Sequence, residues 1–443
     1  MAFAGIYDFD KSRLARVETV VRQHPCVGWC VQPTEGPARS PPTVSCGSTL
    51  NLSHAAMHGS KGDRGWAAPR MHTFADVDAR PGYNSCKAHE YVDEPGVLRQ
   101  KVVLLAKLIR ESRQAIAYTG AGISTSSGIS DYATRSGETI SSRPKLMSPF
   151  DAEATLAHRV LTALHVAGHL KYWIQQNHDG LPQKAGYPQH ALNEVHGAWY
   201  DPSNPVVKMG GQLRRDLFDD LLAWEQRTDL CLAIGTSMAG MNADRVATTV
   251  AGKAAKHDKV AESMRPSATA LGTVIVGLQQ TAHDSVSTLR IFARIDDVMG
   301  MLQEEMQLIL PEIPSWTGGE DVFAIPYGAE GANTEGEYRT LDLREGQRIR
   351  ITMGQYKGDE GEVVGKQRQG HYKIRVWHTV KGTWKVPQEH VLGRWFMAEA
   401  VRGLLPSFPI ESIAPAVVPA SLSVADSTQD ASDFGSVTGL TPV

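Results

Sequence analysis

The stretch QAIAYTGAGIST, residues 114–125, decides how the middle of this chain is read. A mostly apolar run ended by Gly120 and Gly122 is the pattern of a short strand buried on both faces and cut off by a tight turn. Just upstream, VLRQKVVLLAKLIRES places Leu98, Val102, Leu105 and Ile109 at helical spacing, with the basic residues between them expected to face solvent. A helix leading into a buried strand opens an α/β layer. Comparable runs recur downstream: KYWIQQN at 171–177, DLCLAIGTS at 229–237, LGTVIVG at 271–277 and TLRIFAR at 288–294, with helical stretches such as the alanine-rich 242–255 between them. IDDVMGMLQEEMQLIL closes the series as a helix whose first turn carries Asp296 and Asp297, where carboxylates suit the helix dipole. Residues 97–310 are therefore predicted to form a doubly wound parallel α/β sheet of Rossmann-like type.

The flanks read differently. Residues 1–96 carry scattered Pro, Gly, Ser and His and read as a mostly irregular N-terminal extension, or as a small cap docked on the sheet domain. Residues 311–340 read as a linker. Residues 341–398 hold short β-rich runs broken by glycines, the pattern of a small β-barrel made of hairpins. Residues 407–443, rich in Ser, Ala, Thr, Pro and Val, read as a flexible tail. The 443 residues carry a net charge of −3, which excludes a strongly basic footprint over the whole chain and leaves room for a local one. Cys26, Cys30, Cys46, Cys86 and Cys231 are too few and too widely spaced for a disulfide framework. Of these, Cys26 and Cys30 alone have the spacing of paired zinc ligands, so no metal site is expected. No run approaches the roughly 18 apolar residues of a membrane span, and the opening residues lack a signal-peptide pattern. The chain reads as intracellular, in the nucleus or the cytoplasm.

Ligands of open α/β sheets bind outside the carboxyl ends of the strands, so polar residues there form the candidate site. Gly120 and Gly122 allow a tight turn and a close approach of backbone N–H groups to a phosphate, with Ser124 and Thr125 as hydroxyl donors. Taken alone, such a turn is as well explained by folding. Asp131 follows too soon to be the acid that holds a ribose about 20 residues on; it suits a pocket carboxylate or a turn cap. Gln176, Asn177 and Asp179 end a buried strand, and carboxamides can grip ribose hydroxyls, while His178 beside them could simply fill space. His196, in LNEVHG, is the candidate base, since imidazole exchanges a proton near neutral pH. Gly235, Thr236 and Ser237 repeat the arrangement of a glycine turn with hydroxyls.

Taken in order, YTGAGIST, GISDY, QNHDG, EVHG and IGTS resemble the motif series of the sirtuin family of NAD-dependent protein deacylases, over about half the chain. The resemblance implies NAD as cofactor and an acyl-lysine protein or peptide as partner. By that resemblance Gly120, Ala121, Gly122 and Ser124 line the NAD loop, Asp131 and Asp179 belong to the nicotinamide pocket, and Tyr132 next to Asp131 is a further cofactor-binding residue. Gln176 and Asn177 hold the ribose region. Gly235, Thr236 and Ser237 contact the phosphate and adenosine half. His196 is implied as general base, with Asn177 beside it as the second catalytic residue. The implied reaction moves the acyl group to ADP-ribose and releases nicotinamide.

The departures are specific. The family's GIPDFR reads Gly128-Ile129-Ser130-Asp131-Tyr132-Ala133, with Arg135 two places late. QNID reads Gln176-Asn177-His178-Asp179, and the asparagine expected after a later strand is Gly277. After His196 the sequence HGAWYDPSNPVVKMGGQL has none of the cysteine pairs of the family's zinc module, and Met209 and Gly211 replace an aromatic and an acid. Altered deacylase activity is expected, and two alternatives stand beside it: an NAD hydrolase or ADP-ribosyl transferase on the same scaffold, and a non-catalytic NAD-binding or scaffold protein. In the C-terminal part, GQRIRITMGQYKGDEGEV resembles a KOW-type segment of an SH3-like barrel. Its mix of Arg348, Arg350, Lys357, Arg375 and Trp377 suits a nucleic-acid or protein partner, or a solvated face over a small core.

Overall fold

A computed structural model describes residues 52–79, 86–131, 134, 139–140, 148–208, 210–259, 270–315, 318–380 and 384–413. The helix α1 (His54–His58) and the antiparallel strands β1 (Arg70–Thr73) and β2 (Glu90–Val92) come first. They precede the long helix α2 (Pro95–Glu111), which begins with proline at a position whose N–H has no helical partner anyway. α2 buries Leu98, Val102, Leu105 and Ile109 as their spacing predicts. Lys101, expected at solvent, is instead buried, because the preceding segment folds over it. Its ammonium donates to Asp93 at 2.7 Å and to the Met57 carbonyl at 3.1 Å. Asp93 also accepts from Phe292 N at 2.8 Å, and Tyr91 N donates to the Leu278 carbonyl at 2.8 Å. The described part of the N-terminal region is thus a cap docked against the parallel sheet; residues 1–51 lie outside the described residues.

The parallel sheet follows from the continuous apolar runs. Its strands are β3 (Ala115–Thr119), β4 (Leu170–Gln175), β5 (Leu192–Glu194), β6 (Leu230–Ile234), β7 (Gly272–Val276) and β8 (Leu289–Ile291). They lie in the order β5-β4-β3-β6-β7-β8, all parallel. β3, β6 and β7 are buried at every position, as expected for strands covered on both faces. Alternation then sorts the side chains. Ala115, Ala117, Leu232 and Val274 pack with α2, α3 (Leu156–Val166) and the last helix of the domain. Ile116, Tyr118, Cys231, Ala233 and Ile275 pack on the opposite face. There they meet Leu221 of α5 (Arg215–Arg227) and Val246 and Val250 of α6 (Arg245–Lys259). A one-turn helix, α4 (Leu181–Lys184), follows β4, and α7 (Ile295–Met306) closes the domain with Asp296 and Asp297 in its first turn. This is the doubly wound arrangement expected. β5 escaped the strand assignments above because three residues give no periodicity to detect.

The C-terminal part is antiparallel. β9 (Val322–Ile325) pairs with β10 (Arg339–Asp342). A five-stranded sheet joins β11 (Arg348–Ile351), β12 (Glu360–Lys366), β13 (Tyr372–Val380), β14 (Trp384–Leu392) and β15 (Ile410–Ser412) in the order β14-β13-β12-β11-β15. A short helix, α8 (Trp395–Ala400), lies between the last two. The hairpin pattern expected of a barrel is present as an open antiparallel sheet with β14 and β15 at its edges. β9 falls within the stretch read as a linker, and β15 within the stretch read as a tail. Each is short and borders a proline, Pro326 after β9 and Pro409 before β15, so neither stands out in sequence; β15 is held because Ile410 and Phe408 enter the module's core. Among the described residues, no helix is long and apolar enough to cross a membrane.

Candidate functional site

In this strand order the chain leaves β3 toward one side of the sheet and β6 toward the other. A crevice opens where the order reverses, at the carboxyl ends of β3 and β6. Both ends turn on glycine, and the two turns touch. A Cβ on Gly120 would lie 2.9 Å from the Gly235 carbonyl oxygen, and one on Gly122 would lie 2.9 Å from Gly235 Cα. Gly235 has φ +64°, and a Cβ there would meet Ile123 N at 2.5 Å. Gly120 N donates to Ile234 O at 3.1 Å and Gly122 N to Gly235 O at 2.9 Å, so the turns are stitched backbone to backbone. The chain then winds as a 3-10 helix, Ala121–Ser127, along the floor of the crevice.

The end of β4 is tied to the first glycine turn by one hydroxyl. Asn177 Nδ2 donates to Ser124 Oγ at 3.0 Å and to Gly120 O at 3.3 Å, and Ser124 Oγ donates to Asp179 Oδ2 at 2.7 Å. Ser124, expected to line the cleft, is therefore fully buried beneath it as the link between Asn177 and Asp179; the 3-10 winding turns it inward while Thr125 reaches the wall. Asp179 also accepts from Leu181 N at 3.1 Å. Gln176 Nε2 donates to Thr236 Oγ1 at 2.8 Å, joining the tip of β4 to that of β6. Asp131 caps its own turn through Thr134 N and Thr134 Oγ1, both at 2.8 Å. Tyr132 lies outside the described residues.

His196 stands just past β5. Gly197 next to it has φ +97°, and a Cβ there would meet Pro205 O at 2.5 Å, so the chain folds back on itself at this point. Val207 N donates to His196 O at 2.9 Å and Ala198 N to Asn204 O at 2.8 Å. His178 is more than filler. Its Nδ1 is 2.8 Å from Gly197 O, and since a carbonyl only accepts, Nδ1 carries the proton there. The His178 carbonyl accepts from Trp199 N at 2.9 Å. Under the loop sits Glu194, fully enclosed, its carboxylate accepting from Gln175 Nε2 at 3.0 Å; burial raises its pKa to about 7.

One cleft collects these tips. Gly120, Ala121, Gly122, Asp131, Gln176, Asn177, Asp179, His196, Gly235, Thr236 and Ser237 all line it. The cleft also takes Glu90 from the cap, Gln279 and Gln280 after β7, Arg294 at the start of α7, and Trp199 and Lys208 from the loop after His196. The strand-end rule applied to β7 would have found the two glutamines. No local signal marks Glu90, in a segment read as irregular, or Trp199, in the loop after His196. The cradle suits a dinucleotide: glycine turns that admit no side chain, hydroxyls and carboxamides at three strand tips, and an imidazole in the wall.

No protein-family model matches the chain. Among curated proteins, NAD-dependent protein deacetylase sirtuin-7 of Bos taurus is 28% identical over 296 residues, covering 56% of this chain and 71% of that protein. NAD-dependent protein deacetylase Sirt6 of Drosophila melanogaster is 30% identical over 282 residues, covering 53% of this chain and 83% of that protein. The NAD-dependent protein deacylase of Aeropyrum pernix is 30% identical over 185 residues, covering 30% and 75%.

Proposed function

The chain belongs to the sirtuin family, and from that premise we propose that it is an NAD-dependent protein lysine deacylase, passing the acyl group of a modified lysine to ADP-ribose with release of nicotinamide. The observation that carries this is the convergence of five separated motifs, four of them at strand ends, on one cleft with His196 in its wall. When bound, NAD supplies a cationic nicotinamide as leaving group at the ribose carbon. The rest falls to the protein. Gly120, Ala121 and Gly122, with Gly235, Thr236 and Ser237, would hold the phosphates and adenosine half. Gln176 and Asn177 would hold the ribose, and Asp131, Tyr132 and Asp179 the nicotinamide end. His196 would take a proton from a ribose hydroxyl, with Asn177 orienting the sugar beside it. Ser124 acts from below, fixing Asn177 and Asp179 relative to each other.

The segment 197–213 contains no cysteine, and we read it as the family's zinc module reduced to a loop that continues as the acyl-peptide wall through Val207 and Leu213. A shortened wall would favour water as the acceptor, which is the hydrolase reading. Incubating the purified chain with NAD and an acetyl-lysine peptide, and separating products by mass spectrometry, tests both. Acyl-ADP-ribose with free nicotinamide is the expected result. Free ADP-ribose alone would make it a hydrolase, and no nicotinamide release would overturn the enzyme.

For the C-terminal sheet, the SH3-like reading extends to a structural or protein-facing role. Its arginines are engaged across strands: Arg348 and Arg350 with Glu360, Arg350 with Glu411, and Arg375 with Glu362 and Glu389. Cations already paired add little to phosphate binding. Salt-dependent binding of RNA or DNA by the full chain would reverse this reading.

A further inference from the structure

We infer that the C-terminal module is a brace for the His196 side of the cleft, and that Tyr200 is the positioning residue through which it acts. The inference rests on the deacylase reading only for its kinetic consequence. Tyr200 lies four residues past His196, yet it is buried in the core of the C-terminal module and not in either core of the parallel sheet. Its ring is 4.9 Å from that of Trp395, 4.8 Å from His371 and 5.7 Å from Phe150, centroid to centroid. Gly393 N donates to the Tyr200 carbonyl at 2.8 Å. Both aromatic side chains also press on the turn that carries Asp179. A Cβ on Gly180 would lie 2.7 Å from the Tyr200 ring and 3.1 Å from the Trp395 ring.

A second contact from the same module meets the chain ahead of β5. The Glu399 carboxylate accepts from Gln189 N at 2.6 Å and from His190 N at 3.0 Å, and Trp395 Nε1 donates to Gln189 Oε1 at 3.1 Å. Gln189 Nε2 in turn reaches Glu194 at 3.4 Å, two residues before His196. The module therefore grips the segments on both sides of His196 and the turn opposite.

The physical need is plain. The described residues between 195 and 214 have no helix or strand of their own, and ordering a long loop costs about 1–2 kcal/mol of backbone entropy per residue unless contacts offset it. The inner side of the loop is tied to His178, and the outer side to the module. The glycine turns need no such help, being bonded to each other.

The test uses full-length Tyr200→Ala, Tyr200→Phe and Glu399→Gln, with two readouts. The first is amide hydrogen exchange at Ala198, Trp199 and Val207, against Gly120 and Gly122 as reference. The second is the KM for an acetyl-lysine peptide beside the Kd for NAD by calorimetry. Tyr200→Ala is expected to speed exchange of the loop amides about tenfold or more with the glycine-turn amides unchanged, and to raise peptide KM about tenfold while NAD Kd stays within about twofold. Tyr200→Phe keeps the ring and restores both. Glu399→Gln moves both in the same direction by less. Should Tyr200→Ala unfold the chain, Glu399→Gln decides. Exchange that rises evenly everywhere, or a loop whose exchange does not change in a folded variant, overturns the brace. A wild-type chain that turns over no acyl-peptide overturns the deacylase reading instead, and leaves the exchange result to judge the brace by itself.

Discussion

On the β3/β6 side of the cleft, Gly120 and Gly122 lie against Gly235 backbone to backbone, and the contacts stay within the sheet that generates them. On the β5 side, the loop carrying Tyr200 is held by Trp395, His371 and Gly393, which come nearly two hundred residues later. One wall is assembled from the tips of neighbouring strands and the other from a remote core. The first should be rigid and intolerant of added atoms. The second should be adjustable, its shape set by how a separate module packs.

The comparison can be broken by experiment. His196→Ala should lower nicotinamide release by about 10²- to 10⁴-fold, with NAD Kd by calorimetry nearly unchanged; loss of binding as well would mean that the two walls are not separable. Gly235→Ala adds a Cβ into the glycine-turn contact at φ +64°. It should cost on the order of 1–3 kcal/mol from backbone strain alone, and the stabilisation that NAD gives to wild type in thermal melts should vanish. Gly240→Ala, at φ +90° with open space around it, is the control that carries strain without the clash.

Glu194 sharpens the comparison from beneath the loop. Burial raises its pKa from 4.5 to about 7. The folded chain thus holds this proton more tightly than the unfolded one. Its contribution to stability is complete below about 4.5 and is lost as pH rises through about 7. Urea midpoints taken across that window should fall with pH more steeply in wild type than in Glu194→Gln, by up to about one proton in slope. The smallest effect belongs to the exposed face of the antiparallel sheet. Arg348→Ala removes a pair that is open to water, and should change stability by less than about 1 kcal/mol, with denaturant midpoints as the measure.

Much of the cleft was legible because its residues sit at strand ends, and strand ends follow directly from apolar runs that stop at polar residues. Gln176, Asn177 and Thr236 line the crevice for that reason, whereas His196 follows a strand too short to read and was singled out by the motifs around it. The inward direction of Ser124 was not legible, because a loop hydroxyl gives no hint of which way a 3-10 turn will point it. Lys101 was misread because helical spacing describes one helix in isolation, whereas the cap that buries it arrives from elsewhere. Glu90 reaches the cleft from a segment with no pattern, and Trp199 from a loop whose course no local periodicity sets.

The order of apolar and glycine-rich runs determined by itself the parallel sheet, the two helical layers and the place of the crevice, because burial periodicity and turn geometry are local properties of a chain. Tertiary structure alone decided which side chains face that crevice on the β5 side. Tyr200 and Trp395 meet across a long sequence separation, and their packing depends on the shape and volume of a core that neither segment contains.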